Sequence, residues 1–263
     1  MKYLAIGPAA MGIFSLLGAV YNLKDELKNV QEIAGASAGS LIGLFLSLDK
    51  DIDEVVQFLF ESDISQFYKL KLKNFITKFG FIDLFEIKKL LKNFLKVDPT
   101  FKDLPKKFYV AVYNVNYERT EYFSVDTHPH MSVFDAVCMS MSIPLMFTST
   151  VIDDIYYSDG GIFEKVPLTP FLDKPNKEVL GIELDFLNVP NKKIKNIKEF
   201  LSFFYGKTIR CCSTVYDKKK FNIISVNQIE GISILNFKLQ NDDKLKMFFD
   251  GYNTARLHSG LAI

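Results

Sequence analysis

A serine between two glycines forms the clearest chemical motif of the chain, in the run I-A-G-A-S-A-G-S. Ser37 with Gly35 and Gly39 makes the G-x-S-x-G pattern of a nucleophile elbow, in which a strained strand-to-helix turn exposes a serine hydroxyl. Residues 30–34 have the composition of a short strand, and residues 41–46 form the apolar face of a helix. The alternative interpretation is a small-residue loop that packs closely against a helix. With these flanks, the motif predicts a serine hydrolase.

A serine hydroxyl is a weak nucleophile until a neighbouring group accepts its proton, so a base must come from elsewhere in the chain. Asp159 ends a predicted strand and enters a turn formed by Gly160 and Gly161. Because a glycine pair allows backbone conformations closed to other residues, this turn can aim the carboxylate at a neighbouring site. The same tripeptide also occurs as a plain turn in loops. We interpret Asp159 as the candidate base.

Other residues compete for the role of base. Asp153 and Asp154 open the same predicted strand without glycine support, which makes them weaker candidates. His258 follows the serine and the aspartate in the order of an α/β-hydrolase triad. It is predicted to lie at the surface, on the polar end of the closing helix. His128 and His130 flank a proline in a predicted loop or hairpin, where surface placement is again expected.

Alternating strands and helices must position these motifs. The first predicted elements are a strand at 3–6, a loop at 7–12 and a helix at 13–23. Later helices are predicted from residue 51 and at 85–95, 133–141 and 242–261. Later strands are predicted at 108–115, 120–125, 152–157, 178–184, 222–226 and 232–237. This alternation indicates an α/β fold with a mostly parallel central sheet and helices on both faces. Because only one strand-loop-helix unit precedes the serine, we expect an arrangement other than the ordinary α/β-hydrolase.

Three motifs in this order make the chain resemble the patatin-like phospholipase family. They are a glycine-containing loop after the first strand, the G-x-S-x-G motif, and D-G-G beginning 122 residues after the serine. The run S-I-P-x-x-F at 142–147 is also similar to that family. The resemblance covers about residues 3–170 and implies one patatin-like domain over 1–263 with a three-layer α/β fold. It also implies a catalytic dyad, with Ser37 as the nucleophile and Asp159 as its general base.

The resemblance further implies that backbone N–H groups of the loop at 7–12 stabilise the oxyanion of the reaction. The loop residues are Gly7, Pro8, Ala9, Ala10, Met11 and Gly12. The family pattern here is three glycines, a variable residue, a basic residue and a glycine. Pro8 has no N–H to donate, and Met11 replaces the basic residue, so this loop departs from the family pattern in a way that would weaken the oxyanion hole. Lys165 also stands where the family often has asparagine.

Composition excludes several other classes of protein. A net charge of +1 argues against a general nucleic-acid binder, which carries a basic excess. Three cysteines without a framework of spacings indicate free thiols in a reducing compartment, and therefore a cytoplasmic protein. No metal-ligand spacing is present, and the chemistry requires no cofactor. Gly7 and Pro8 interrupt the uncharged stretch at 3–23, so we expect no signal peptide and no transmembrane helix there.

A segment rich in lysine and aromatic residues indicates contact with a membrane surface. Residues 67–79 read F-Y-K-L-K-L-K-N-F-I-T-K-F and contain no acidic residue. Such a segment can lie in an anionic bilayer interface with its rings inward, or pack on the core with a solvated lysine face. We interpret it as an interfacial lid. A second basic run, which we interpret as a solvated loop, comprises Lys192, Lys193, Lys195 and Lys198.

These patterns together predict a lipid acyl hydrolase, peripheral to membranes, that cleaves phospholipid or related acyl esters through an acyl-enzyme. The expected partner is a lipid or membrane surface, and the resemblance adds a protein activator, which some relatives need. One alternative is a catalytically weakened lipid-binding or effector protein of the same fold, which the altered loop at 7–12 favours. Another is a thioesterase or small-ester hydrolase.

Overall fold

Strands and helices alternate along the part of the chain that the structure describes. This computed structural model describes residues 1–63, 65, 71–186, 194, 199–200, 203–204, 207 and 216–261. The strands are β1 (Tyr3–Ile6), β2 (Glu32–Ala36), β3 (Gly80–Ile82), β4 (Lys107–Asn114), β5 (Arg119–Phe123), β6 (Leu145–Phe147), β7 (Thr150–Ile152), β8 (Ile155–Asp159), β9 (Val179–Asp185) and β10 (Asn222–Asn227). The helices are α1 (Ile13–Asn22), α2 (Ala38–Ser47), α3 (Ile52–Glu61), α4 (Leu72–Lys78), α5 (Phe85–Leu95), α6 (Val133–Ser140) and α7 (Asn241–Leu261).

A central mixed sheet organises the molecule. Its strand order is β10-β9-β1-β2-β4-β8-β7, and β5 pairs with β4 outside this path. The strands from β10 to β4 run parallel to one another, whereas β5, β7 and β8 are each antiparallel to their neighbours. The predicted three-layer α/β fold with a mostly parallel sheet is therefore confirmed.

The central strands bury side chains on both faces, as parallel strands covered on both sides must. In β1, Leu4 and Ile6 join the larger core, which also includes the apolar faces of α1, α2 and α6. Ala5, between them, points to the opposite face and joins a smaller cluster with Leu168 and Phe171. The 3-10 helix Thr169–Phe171 covers the sheet there.

Two predicted strands differ from the structure. The prediction of a strand at 232–237 is wrong, because these residues form turns instead. Ile234 and Leu235 are buried in the core, so an apolar run here covers the core without pairing to the sheet. The strand predicted at 152–157 is two strands, β7 and β8, joined by a tight turn at Asp153 and Asp154.

A second, two-stranded sheet is absent from the sequence prediction. It pairs β3 with β6 in parallel, with Gly80 opposite Leu145 and Ile82 opposite Phe147. Three-residue strands are too short to display a period-two pattern, so periodicity does not reveal them. Among the helices of the described residues, none has both the length and the apolar character needed to cross a membrane.

Candidate active site

The predicted strand, turn and helix around Ser37 are confirmed, because β2 ends one residue before it and α2 begins one residue after it. Ser37 has φ 52° and ψ −127°, a conformation that a residue with a side chain rarely adopts. Gly39 has to be glycine, since a Cβ there would overlap the carbonyl oxygens of Ile6 and Gly7. A Cβ at Gly35 would lie 2.5 Å from the Cα of Ser40. The glycines therefore allow a turn tight enough to present the hydroxyl.

Ser140 holds the strained backbone of this turn. The Ser37 N–H donates to the Ser140 hydroxyl at 2.8 Å, and that hydroxyl donates to the carbonyl oxygen of Ala111 at 2.6 Å. The carbonyl group of Ser37 accepts from the Ser40 hydroxyl at 2.6 Å. Sequence reasoning gave Ser140 no role, although it precedes the S-I-P run by two residues.

The register of β4 brings the serine and the aspartate together. Strand β2 pairs with β4 up to Ala36 opposite Ala111, and β8 pairs with β4 from Asp159 opposite Val112. The residue after Ala36 and the residue opposite Val112 therefore lie at the same level of the sheet. This places side by side two residues that are 122 positions apart in the chain.

Asp159 is fixed by its own turn. The Asp159 N–H donates to the carbonyl oxygen of Ser142 at 3.1 Å, and the Gly161 N–H donates to the carboxylate Oδ1 at 2.8 Å. A Cβ at Gly160 would overlap the backbone of Ala111, and one at Gly161 would overlap the Pro8 ring. The second carboxylate oxygen, Oδ2, remains directed at the serine.

The Ser37 hydroxyl donates to Oδ2 of Asp159 at 2.6 Å. Both residues are nearly inaccessible to solvent, at 3% and 2% exposure. Burial raises the pKa of Asp159 to about 7, and the hydrogen bonds from Ser37 and Gly161 oppose that rise. A carboxyl group with this pKa can both accept and return a proton near neutral pH.

The loop at 7–12 passes beside this pair. The N–H groups of Gly7, Met11 and Gly12 are engaged, donating to the carbonyl oxygens of Ile182, Ile234 and Ala9 respectively. Within the described residues, the N–H groups of Ala9 and Ala10 donate to no protein acceptor. Ala9 and Ala10 line a small cavity together with Ser37 and Asp159. These two residues therefore combine an N–H group without a protein acceptor and a position beside the serine and the aspartate.

Ala38 offers a third N–H that sequence reasoning did not consider. It is the first residue of α2, so its N–H has no partner within the helix. In nucleophile elbows, the N–H of the residue after the serine contributes to the oxyanion hole. The signal that could have identified Ala38 is its position directly after Ser37.

Met11 and Lys165, the two departures from the family pattern, have defined places. Met11 is buried and lines the larger cavity described below. The Lys165 ammonium group donates to Asp185 at 2.8 Å and lies 3.6 Å from Glu183, at the end of β9. The Lys165 carbonyl oxygen lies so close to Gly7 that a Cβ there would overlap it. Lys165 therefore supports the loop from outside the small cavity.

A larger, mostly apolar cavity opens beside Ser37. Its walls come from the first turn of α1 and from α2, α3 and α5. Apolar side chains on these walls include Phe14, Leu41, Phe58, Leu59, Leu91 and Phe147. A hydrocarbon chain fits such a surface, because burying it removes apolar area from water on both sides.

The competing bases lie elsewhere. Asp153 and Asp154 form the exposed turn between β7 and β8. His258, near the end of α7, has its Nε2 at 2.5 Å from the side-chain oxygen of Asn222 on β10. His128 packs against Phe123 with the two rings tilted, and it contacts its neighbour Thr127. Within the described residues, none of these side chains is hydrogen-bonded to the serine, and no group of three or more histidine, cysteine or acidic residues is arranged to hold a metal ion.

The lysine-rich segment is described only in part. Residues 67–70 lie outside the described residues, and so do Lys192, Lys193, Lys195 and Lys198 of the second basic run and the cysteines at 211 and 212. From residue 71 onward, α4 has no buried side chain, and Leu72 and Ile76 are 68% and 70% exposed. These two residues are four apart and so share one face of the helix.

The fold and site define a class of α/β proteins in which an elbow serine is paired directly with a buried carboxylate. The profile of the patatin-like phospholipase family matches residues 4–172. The chain belongs to the patatin-like phospholipase family, and the predicted resemblance is confirmed. The family match ends at residue 172, so one domain over 1–263 stays a prediction.

Two viral proteins are similar over almost their whole length. The "Uncharacterized protein R571" of Acanthamoeba polyphaga mimivirus is 28% identical over 276 residues, covering 97% of this chain and 93% of that protein. The "Probable lipid hydrolase 463L" of Invertebrate iridescent virus 6 is 25% identical over 271 residues, covering 97% of this chain and 88% of that protein.

Two bacterial proteins of known structure share the fold. VipD from Legionella pneumophila has a TM-score of 0.68 at 18% identity, with 98% of this chain and 66% of VipD covered. The type III effector ExoU, solved also as the Pseudomonas aeruginosa protein in complex with SpcU, has a TM-score of 0.53 at 13% identity. That match covers 98% of this chain and 52% of ExoU. At these identities the likeness concerns the fold.

Proposed function

We propose that this protein is a lipid acyl hydrolase that cleaves an acyl ester of a phospholipid or related lipid through a Ser–Asp dyad. One observation carries the proposal: the 2.6 Å hydrogen bond from the buried Ser37 hydroxyl to Asp159 Oδ2, at the wall of an apolar cavity. The family match and the name of the iridescent virus relative support a lipid substrate. The partner expected is a lipid molecule or a membrane surface.

In the first half of the reaction, Asp159 accepts the hydroxyl proton while Ser37 Oγ attacks the ester carbonyl carbon. The carbonyl oxygen becomes an oxyanion, and we assign its stabilisation to the N–H groups of Ala9, Ala10 and Ala38. The tetrahedral intermediate then collapses, and Asp159 returns the proton to the leaving alcohol oxygen. The acyl group remains on Ser37 as an ester.

In the second half, water replaces the alcohol. Asp159 accepts a proton from the water as the water oxygen attacks the acyl carbon of the Ser37 ester. Collapse of this intermediate releases the fatty acid, and the proton returns to the Ser37 oxygen. The acyl chain occupies the apolar cavity throughout, so the same wall binds the substrate and the acyl-enzyme.

Mass spectrometry of the products from a phospholipid with two different acyl chains tests this proposal. The unmodified protein is expected to release a fatty acid and a lysophospholipid. Ser37→Ala and Asp159→Asn are each expected to reduce turnover by about 10³-fold or more, because the residues of a catalytic unit act together. Equal rates for the unmodified and Ser37→Ala proteins would contradict it. Cleavage of soluble thioesters or p-nitrophenyl esters alone would favour a small-ester hydrolase.

The altered loop favours a second candidate, a lipid-binding or effector protein with weakened catalysis. Pro8 offers no N–H, and Met11 stands in place of the basic residue of the family pattern. A fluorophosphonate probe separates the two candidates, since it reacts only with an activated serine. Labelling that disappears in Ser37→Ala supports the enzyme, whereas a folded protein that is never labelled supports the binding protein.

A further inference from the structure

Lys244 is a buried charge beside the larger cavity and takes no part in the proposed reaction. It lies in the first turn of α7, is 8% exposed, and lines the same cavity as Ser37. Its Nζ donates to the carbonyl oxygen of Phe60 at 2.9 Å. The ammonium group also lies 5.3 Å from the centre of the Phe14 ring, which forms part of the cavity wall.

A structural role at α3 explains only part of this arrangement. The contact with Phe60 satisfies a carbonyl group in the last turn of α3, where a cation is favourable. An ammonium group has three N–H donors, and this contact uses one of them. Burial lowers the Lys244 pKa, and the charge of Asp63 opposes that effect. Besides the charge of Asp63, a group that accepts the remaining N–H donors would stabilise this cation in its mostly apolar wall.

The polar residues of the cavity occupy two separate places. Ser37 is one, deep in the molecule. Ser62, Asp63 and Lys244 form the other, just beyond the end of α3, where Asp63 is exposed to solvent. The walls formed by residues such as Phe14 and Leu59 are apolar. The cavity therefore suits an amphiphile whose polar head group stays at the rim while an ester reaches the serine.

We propose that Lys244 binds the phosphate group of a phosphoglyceride substrate at the rim of the cavity. This inference rests on the proposed lipid acyl hydrolase function and names the head group that it selects. Hydrogen bonds from an ammonium group to phosphate oxygens are charge-assisted and therefore strong. Asp63 at the same rim disfavours further negative charge, so a zwitterionic phosphocholine or phosphoethanolamine head group fits better than an anionic one.

Two short-chain substrates test the subsite. Dihexanoyl phosphatidylcholine and dihexanoylglycerol, both used as dissolved monomers, differ in the phosphate-bearing head group. Lys244→Met is expected to lower kcat/KM for the phosphatidylcholine by about 10- to 100-fold, the loss of a charged hydrogen bond. Its kcat/KM for the diacylglycerol should stay within about twofold of the unmodified protein. Lys246→Met is the matched control, because Lys246 is exposed on the same helix and does not line the cavity.

An equal loss of kcat/KM on both substrates would assign Lys244 to the α3 contact alone and overturn the proposal. No loss on either substrate would also overturn it. Thermal unfolding and fluorophosphonate labelling establish that each variant is folded. Calorimetric titration of Ser37→Ala with dihexanoyl phosphatidylcholine tests the subsite without turnover. Adding Lys244→Met to that variant should weaken binding at least tenfold, and equal affinities would overturn the subsite even if the protein proves to be a lipid-binding protein without activity.

Discussion

At the residue scale, the candidate site depends on how a carboxyl group behaves when it loses water. The Asp159 carboxyl receives hydrogen bonds from Ser37 and Gly161, which favour its charged form, yet burial outweighs them and raises its pKa to about 7. An exposed aspartate, ionised at much lower pH, would be too weak a base to take a serine proton. Desolvation therefore gives a dyad without histidine its basicity.

The activity should follow the ionisation of Asp159. Because only the ionised carboxylate accepts the Ser37 proton, kcat/KM for a soluble ester should rise with pH and reach half of its plateau near pH 7. Rates measured from pH 5 to 9 on p-nitrophenyl butyrate test this. A rate that is flat across this range, or that is already maximal at pH 5, would contradict the assignment of Asp159 as the base.

The pH dependence of stability is a second test of the same ionisation. The folded protein holds the Asp159 proton more tightly than the unfolded chain, whose carboxyl has an ordinary pKa of 3.8. The free energy of unfolding should therefore fall as pH rises from about 4 to about 7. Asp159→Asn lacks this ionisation. The Tm of the variant minus the Tm of the unmodified protein should therefore increase as pH rises from 5 to 8.

Ser140 should act as a positioning residue. Its hydroxyl accepts the N–H of Ser37, and without it the strained turn loses a buried partner. Ser140→Ala is expected to lower kcat on p-nitrophenyl butyrate by about 10- to 100-fold, corresponding to roughly 1–3 kcal/mol, with little change in KM. Ser142→Ala is the control, since the Ser142 hydroxyl donates to Met139 and its backbone carbonyl, which holds Asp159, is retained. Equal effects of the two variants would count against this role.

At the element scale, α4 has features suited to contact with a lipid surface. It buries no side chain, and its exposed apolar pair, Leu72 and Ile76, lies beside the exposed Lys71 and Lys73. Apolar side chains that enter the interface and lysines that meet the head groups together favour binding to anionic membranes. The described part of the segment at 67–79 therefore has the composition and exposure that the lid hypothesis requires.

Replacing both apolar residues should weaken membrane binding. Leu72→Ser with Ile76→Ser is expected to reduce affinity for anionic vesicles at least tenfold, or about 1.4 kcal/mol or more, because two apolar side chains no longer enter the interface. Vesicle co-sedimentation measures this. Phe249→Ser with Leu257→Ser, two exposed apolar positions of α7, is the matched control and should bind like the unmodified protein. Equal binding by all three proteins would contradict the lid hypothesis.

Element prediction succeeded best where local sterics limit the backbone. The strand-turn-helix around Ser37 is confirmed because Gly35 and Gly39 permit its tight turn. The closing helix α7 is also confirmed, although its apolar residues do not line one face. The prediction of a strand at 232–237 is wrong because an apolar run indicates burial, and a buried segment need not pair with a strand. The pairing of β3 with β6 was missed because each strand is only three residues long.

At the scale of the whole molecule, β4 is the strand that assembles the candidate site. It pairs with β2 and then with β8, so Ala36 and Asp159 face adjacent residues of one strand. Ser140, at the end of α6, adds its hydrogen bond to the Ala111 carbonyl of β4. The serine and the aspartate are thus held together by a sheet strand and a helix end.

The sequence by itself determined the local chemistry: a turn that glycines permit around Ser37, a glycine pair after Asp159, and an alternation of strands and helices that indicates the fold class. These features are local because steric limits on the backbone act within a few residues. Tertiary structure alone decided the 2.6 Å contact between the two side chains, the Asp159 pKa near 7, and the placement of Lys244 on the cavity. Each of these depends on strand register and exclusion of water, which arise only when distant segments pack together.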